Sequence, residues 1–306
     1  MRLPTKTIYT GILLALLATL IWAANFIIAR GVIARIPPVS LAFYRWLLAS
    51  IIIFPLAFKK FRSEWPLVKK SAGYIFFAAV TGVAMFNTFV YIGGHYTTAI
   101  NLTLIGVTTS PVIAVILAKI FLKEQIGWAK ALGMIFCIAG VIFLLFKGDF
   151  NNLRHLTFST GDLWVLLAAV TFAIYNILVR KKPAGISTVN FLFVIFCLGT
   201  VLLLPFYLYE INNTPAVHWD INLFLIILYL ALGASVICFL IWNIAIQRLG
   251  AGRTALFGNL ILVFGSLEAV FILNEPFTWI HVVSTLLVIA GIILANISLF
   301  IKRNKI

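Results

Sequence analysis

The sequence predicts an all-α integral membrane protein whose ten transmembrane helices form two inverted five-helix repeats. Three observations lead to this class: the composition, the number of long apolar runs, and the similarity of the first half of the chain to the second. Of the 306 residues, 63% are hydrophobic and 10% are charged, and the mean hydropathy is +1.13. Soluble domains have an apolar content of roughly 45–50%. A chain of this composition belongs in a lipid bilayer.

Ten apolar runs are long enough to cross the membrane, because about 20 mostly apolar residues span about 30 Å of hydrocarbon. The first run follows two basic residues, as a signal peptide would, but it is too long for the apolar part of a signal peptide. We therefore interpret it as a retained helix. The ten runs lie near residues 8–29, 39–58, 72–92, 96–118, 126–146, 162–179, 188–209, 221–246, 254–273 and 277–300.

The basic residues predict the orientation of these helices. Of the 23 Lys and Arg residues, 18 fall in the connections that share a side with the N-terminus, four fall in the other connections, and Arg45 lies within a run. Cytoplasmic connections are enriched in Lys and Arg, so both termini are predicted to be cytoplasmic. The net charge of +15 does not indicate a nucleic-acid partner, because the short connections offer no soluble face for a basic patch.

The two halves of the chain match each other when one is shifted by 150 or 151 positions. The shift of 150 aligns residues 11–58 with 161–208, and the shift of 151 aligns Glu124 with Glu275 and Trp128 with Trp279. Each half holds five runs, an odd number, so the second half must enter the membrane inverted. We predict one repeat over residues 1–150 and another over 151–306. Inverted repeats are a recurrent architecture of secondary transporters, with the substrate near the midplane.

Several segments resemble one transporter family. They are LIWAANFIIAR (Leu20 to Arg30), FYRWLLA (Phe43 to Ala49), TTSPVIAVILAKIFLKE (Thr108 to Glu124), and the paired GMIFCIAGV (Gly133 to Val141) and VIAGIIL (Val288 to Leu294). In this order and with ten runs, the chain resembles the EamA family of the drug/metabolite transporter superfamily. The resemblance implies a central cavity lined mainly by helices 1–4 and 6–9, with helices 5 and 10 at the periphery. It also implies export of small metabolites, often amino acids, across the bacterial inner membrane.

Two charged residues lie inside apolar runs, Arg45 and Glu268. A charge at this depth is a functional hypothesis, because it costs several kcal/mol to bury. At about 1.5 Å per residue, both lie roughly 8–9 Å below the predicted outer surface. In one interpretation Arg45 receives a substrate carboxylate and Glu268 an ammonium group or a coupling proton. In the other, the two form a structural ion pair, or Arg45 extends its head group to the interface.

Uncharged polar and aromatic residues recur at helical spacing, three or four positions apart, which places them on common faces. Such faces would line a mostly apolar cavity with a few oriented polar groups, the usual form of a small-molecule site. The alternatives are hydrogen bonding between helices by the asparagines and anchoring of the aromatic rings at the membrane interfaces. Together with Arg45 and Glu268, the cavity candidates are Trp22, Asn25, Asn87, Tyr91, Tyr175, Asn176, Trp242 and Asn243.

Other residues are predicted to be structural. Pro111 follows a Thr-Thr-Ser segment. The hydroxyls of this segment could satisfy the carbonyls that the proline leaves without a donor, or its backbone could contact the substrate. The counterpart of Pro111 is Leu262, where the family often has a second proline, which argues against symmetric rocking about paired hinges. Glu124 and Glu275 each precede a helix. The carboxylate can accept hydrogen bonds from the first amides of that helix. Trp128 and Trp279 follow the two glutamates as interface anchors.

No catalytic constellation is evident, so we expect neither an enzyme nor a cofactor. The four histidines are scattered, without metal-ligand spacing, and no phosphate-binding loop is present. The prediction is a multi-pass secondary transporter of the bacterial inner membrane that exports amino acids or similar amphipathic compounds by alternating access. The alternatives are an importer or exchanger of a sugar-linked or drug-like solute, and a non-transporting scaffold. The expected partners are a small-molecule substrate and the lipid bilayer. Proton coupling is compatible with the sequence, as is a homodimer through Gly133, Gly140 and Gly291.

Overall fold

The computed structural model describes residues 5–32, 35–97, 102, 104–149, 151, 158–273 and 278–297, and these ranges contain helices and no β-strand. We number the helices in chain order. They are α1 (Thr5–Val32), α2 (Pro38–Lys70), α3 (Ala72–Tyr96), α4 (Leu104–Thr109 and Ser110–Leu122), α5 (Trp128–Leu145), α6 (Thr160–Arg180), α7 (Thr188–Asn213), α8 (Ile221–Leu249), α9 (Ala251–Leu256, Phe257–Asn259 and Leu260–Leu273) and α10 (Trp279–Asn296).

Nine of these helices, within the described ranges, are long and apolar enough to cross a membrane. The exception is α9, which covers the predicted run 254–273 but consists of three consecutive segments shorter than a span. The second helix extends beyond the apolar run near 39–58, because α2 continues through the basic segment to Lys70. The inversion of the second half and the cytoplasmic location of the termini stay predictions.

Four helices carry irregular turns, at matching positions of the two halves. In α3, Val80–Met85 is a π-helical turn, and so is Leu232–Ile237 in α8. A third π-helical turn, Leu104–Thr109, opens α4, while α9 has a 3₁₀ turn at Phe257–Asn259. Pro111 follows in the first turn after the π segment of α4, where its missing N–H costs least. Turns of this kind leave carbonyls that need other donors and are frequent at functional sites.

The helices pack in pairs that join the two halves. The pairs are α1 with α8 and α9, α2 with α7 and α8, α3 with α6 and α7, α4 with α6 and α9, and α5 with α10. Replacing each helix by its counterpart in the other half reproduces the same set. A core of buried aromatic and aliphatic side chains runs through these contacts. The chain therefore folds around the junction of its halves.

The glycines considered for a homodimer lie inside the chain, in the contact of α5 with α10. A Cβ atom on Gly133 would lie 2.7 Å from Ala295 N and still closer to Gly291 O. Ser284 Oγ donates a hydrogen bond of 2.7 Å to Gly140 O across the same contact. These glycines therefore serve close helix packing within the chain, where α10 covers the glycine face of α5, and a homodimer stays a prediction.

Two carboxylates clamp α2 and α7 together at both ends. Near the end of α7, Glu210 accepts hydrogen bonds from Val39 N at 3.1 Å and Ser40 N at 2.6 Å, in the first turn of α2. Near the end of α2, Glu64 accepts from Ser187 N at 2.9 Å, the residue that precedes α7. Each helix thus satisfies amides at the start of the other, which requires the two helices to be antiparallel.

Candidate functional site

A cavity lies where the two halves meet, lined by side chains of α1, α2, α3, α4, α6, α8 and α9 and by Leu102. Its volume is about 70 Å³, which is room for on the order of five water molecules at 10–15 Å³ each. The walls are mostly apolar, with a few polar side chains, which is the usual composition of a small-molecule site. Helices α5, α7 and α10 contribute no described residue to this lining.

Half of the ten predicted cavity residues line this space: Trp22, Arg45, Asn87, Asn176 and Trp242.

Three other predicted residues are buried outside the lining, where they support it. The Tyr91 hydroxyl accepts a hydrogen bond from Arg45 at 2.7 Å. The Tyr175 hydroxyl donates to Asn243 Oδ1 at 3.0 Å. Glu268 also lies outside the lining, and the side chain of Asn25 lies outside the described part of the chain. For Tyr175 and Asn243, hydrogen bonding between helices is therefore the observed role.

Aromatic rings form one wall of the cavity. The Trp22 ring packs edge-on against Phe172, Phe239 and Trp242, with centroid distances of 5.9, 5.8 and 5.0 Å. Phe86 stacks on Phe172 at 4.3 Å. Phe86 and Phe239 were not among the cavity residues predicted from the sequence. Phe239 lies three positions before Trp242, on the same helical face, and this spacing is the signal that would have indicated it.

Arg45 joins α2 to α3 and α8 through hydrogen bonds. Its Nε donates to Ser235 Oγ at 2.7 Å, and its Nη1 donates to Asn87 Oδ1 at 2.9 Å and to the Tyr91 hydroxyl at 2.7 Å. Its Nη2 donates to Ala234 O at 3.1 Å. The residue is 1% exposed, so the interpretation that Arg45 extends to the interface was wrong. Its guanidinium is a clamp between helices at the cavity wall.

The carbonyl that Arg45 reaches belongs to the π-helical turn of α8, Leu232–Ile237. Ala234 O also accepts a hydrogen bond of 2.8 Å from Trp22 Nε1 of α1, and Ser235 Oγ donates to Leu230 O at 2.8 Å. Side chains of α1 and α2 therefore donate hydrogen bonds to a carbonyl of the irregular turn. Such bonds are required because the bilayer core has no water to satisfy the backbone. This is why an arginine is tolerated at this depth.

Two asparagines at the cavity have one satisfied and one unsatisfied end. Asn87 Oδ1 accepts from Arg45, and Asn176 Oδ1 accepts from Trp242 Nε1 at 2.9 Å. The Nδ2 atoms of both residues are buried and have no hydrogen-bond partner among the residues that the structure describes. Buried polar groups are normally paired, so each orphan donor needs an explanation.

The ion pair between Arg45 and Glu268, one of the interpretations left open, is not found among the described residues. Among the described residues the ion pairs are Arg35 with Asp220 at 2.6 Å and Lys130 with Glu124 at 3.2 Å. Glu268 Oε2 is buried without a hydrogen-bond partner. The described residues also contain no cluster of three or more His, Cys, Asp or Glu side chains that could hold a metal ion.

Glu124 meets a different helix from the one we expected. Instead of the amides of α5, which follows it, the Glu124 carboxylate accepts from Ala251 N at 3.2 Å, the first residue of α9. Trp128 and Trp279 are the first residues of α5 and α10, and both rings are exposed. Their anchoring role stays a prediction, and Glu275 lies outside the described residues.

The fold defines a multi-pass helical membrane protein with a cavity lined by residues of both halves. The model of the EamA-like transporter family matches residues 9–146 and 159–297. The chain therefore belongs to the EamA family, within the drug/metabolite transporter superfamily. It is a transporter by family, and no enzymatic activity is indicated.

Relatives in bacteria and archaea cover almost the whole chain. An uncharacterized transporter of Bacillus subtilis, YyaM, is 29% identical over 89% of this chain and 89% of its own. An uncharacterized transporter of Archaeoglobus fulgidus is 28% identical over 94% and 97%. A probable amino-acid metabolite efflux pump of Salmonella typhimurium is 25% identical over 95% and 96%. A protein of known crystal structure, 18% identical, superposes with a TM-score of 0.77 over 97% of this chain and 99% of that protein.

Proposed function

We propose that this protein is a secondary transporter of the bacterial inner membrane that exports amino acids or similar small amphipathic metabolites. The observation that carries the proposal is the cavity itself. Seven helices from both halves of the chain surround it, and its walls combine aromatic rings with a few polar side chains. A site between two halves can be opened to either side by moving one half against the other. The relatives named as amino-acid metabolite efflux pumps, at 23–25% identity, support the substrate class.

Alternating access needs helices that bend and contacts that exchange. Irregular turns are present in α3, α4, α8 and α9, all of which line the cavity. In α9 the 3₁₀ turn at Phe257–Asn259 supplies irregular backbone although Leu262 replaces the second proline. We therefore propose that these turns are the flexible points of the transport cycle, in both halves of the chain.

The carboxylate clamps between α2 and α7 would allow the two ends of this helix pair to open separately during the transport cycle. Glu64 and Glu210 act at opposite ends of this helix pair. Opening one end of the pair would break one clamp and leave the other in place. The pair would then separate at one end at a time, which is the condition for transport without a leak.

Flux into proteoliposomes tests the proposal. Purified protein should accelerate counterflow of labelled amino acids relative to empty liposomes, and a saturating unlabelled substrate should compete. An imposed pH gradient tests proton coupling through Glu268, the acid of α9 with an unpartnered oxygen. Glu268→Gln should then keep counterflow but lose the response to the gradient.

The outcome distinguishes the alternatives. Counterflow of sugar-linked or drug-like solutes in place of amino acids would favour another transport role within the superfamily. If the folded protein moves no solute with or without a pH gradient, a non-transporting scaffold is the better description. If Glu268→Gln responds to the gradient as the wild type does, that residue carries no coupling proton.

A further inference from the structure

We infer that the cavity binds small carboxylates with an apolar or aromatic body, and that it recognises them through hydrogen-bond donors without using an ammonium group. This inference rests on the proposed transport function and narrows its substrate class. It starts from the two orphan amides of Asn87 and Asn176, which lie among the lining residues of the cavity.

The orientation of both amides follows from their partners. Asn87 Oδ1 faces an arginine nitrogen and Asn176 Oδ1 faces an indole nitrogen. Guanidinium and indole groups can only donate hydrogen bonds, so the amide oxygens must face them and the Nδ2 groups must face elsewhere. The side chains are 5% and 1% exposed, so bulk water does not satisfy these nitrogens. Two buried donors therefore belong to residues of the cavity lining and have no acceptor in the described part of the protein.

The other polar groups of the lining add positive charge and no negative charge. Arg45 brings a guanidinium whose nitrogens already donate to the protein, and the single N–H groups of Trp22 and Trp242 are donated to Ala234 O and Asn176 Oδ1. Ser110 adds a hydroxyl that can donate or accept. Among the described lining residues there is no Asp or Glu, and Glu268 lies elsewhere. The described lining is thus positively charged, and its unpartnered amide donors are those of Asn87 and Asn176.

A ligand that complements this site must bring acceptors. A carboxylate has two oxygens with about four acceptor positions and no hydrogen to donate, and hydrogen bonds to a charged acceptor are the stronger kind. An ammonium group has three donors and no acceptor, so it would meet other donors here. The aromatic wall around Trp22 and Phe172 suits a flat apolar body next to the carboxylate.

Three probes of matched shape test the inference. Phenylalanine has both charged groups, 3-phenylpropionate lacks the ammonium group, and phenethylamine lacks the carboxylate. We expect 3-phenylpropionate and phenylalanine to raise the melting temperature of the purified protein and to compete in counterflow. Phenethylamine should be at least about tenfold weaker, because it leaves the donors of the site unmatched. This comparison uses the wild-type protein, so it does not depend on the folding of a variant.

A matched pair of variants locates the recognition at the cavity. Asn176→Asp keeps an oxygen for the Trp242 indole and replaces the orphan donor by an anionic acceptor, so binding of 3-phenylpropionate should fall at least about tenfold. Asn243→Asp is the control. Asn243 is also 1% exposed and has an unpartnered Nδ2 and an occupied oxygen, but it does not line the cavity. It should retain the response to 3-phenylpropionate.

Each result decides between the hypotheses. Binding of phenethylamine as tight as that of 3-phenylpropionate would overturn the inference, as would equal losses in the two variants. If solutes without a carboxylate show counterflow, while phenylalanine and 3-phenylpropionate neither bind nor compete, the carboxylate substrate class is wrong and the transporter proposal still stands. If no solute binds or moves, both proposals fail together.

Discussion

Replacing Arg45 with lysine separates a positioning role of this residue from direct contact with substrate. The substitution keeps the positive charge but removes the planar fork that reaches acceptors on two other helices. Arg45 donates to Ser235, Asn87, Tyr91 and Ala234 over distances of 2.7–3.1 Å. A lysine ammonium carries its three donors on a single centre, and we expect it to meet two of these four acceptors, because they lie around three separate nitrogens of the arginine.

The expected loss can be worked from the two acceptors left behind. Each becomes a buried group without its partner, at a cost of about 1–3 kcal/mol. Partial reorganisation of the hydroxyls reduces the sum, so we expect Arg45→Lys to lower the free energy of unfolding by about 2–4 kcal/mol. For a chain of this size, that corresponds to a melting temperature lower by roughly 5–10 °C.

The measurement is thermal unfolding of the purified protein in detergent, followed by tryptophan fluorescence. Arg35→Lys is the matched control, since Arg35 forms an exposed ion pair with Asp220 and exposed pairs contribute about 0–1 kcal/mol. Equal melting temperatures for the two variants would refute the clamp. If Arg45→Lys melts normally but loses transport, Arg45 acts on the substrate and its hydrogen bonds to α3 and α8 are secondary.

Three further predictions follow from the packing, the helix caps and the ion pairs. Gly133→Ala should lower stability by about 1–3 kcal/mol because its Cβ would meet the backbone of α10. Gly265→Ala should be neutral or slightly stabilising, since no atom lies within 4 Å of the added group; equal melting of the two would contradict the close contact. Glu64→Ala should cost about 1–3 kcal/mol by leaving the amide of Ser187, just before α7, without an acceptor, and a melting curve like that of the wild type would argue against the clamp. The hydrogen bond from Arg35 lowers the pKa of Asp220, with help from the amide of Leu223. The stabilisation is therefore present at neutral pH and is lost as the pH falls through the lowered pKa. Asp220→Asn should melt below the wild type at pH 7, with a difference that shrinks towards pH 3; a constant difference would contradict the linkage.

Much of the candidate site could be predicted from sequence because a bilayer imposes local rules. Polar residues inside an apolar run are rare, so Trp22, Arg45, Asn87 and Asn176 stood out before any contact was known, and all four line the cavity. Glu268 stood out for the same reason but lies outside the lining. Helix spacing tells which residues share a face, but it does not tell which helix that face meets.

The sequence by itself determined the membrane class, the family and the positions of nine apolar helices. Those properties depend on composition, on run length and on short motifs, all of which act locally. Only the tertiary structure decided what Arg45 does, because Ser235 and Ala234 lie about 190 residues away along the chain. It also decided that the glycine face of α5 is covered by α10. The tertiary structure likewise decided that the Nδ2 atoms of Asn87 and Asn176 are unsatisfied. Which end of an amide lacks a partner depends on the neighbours that other helices bring to it.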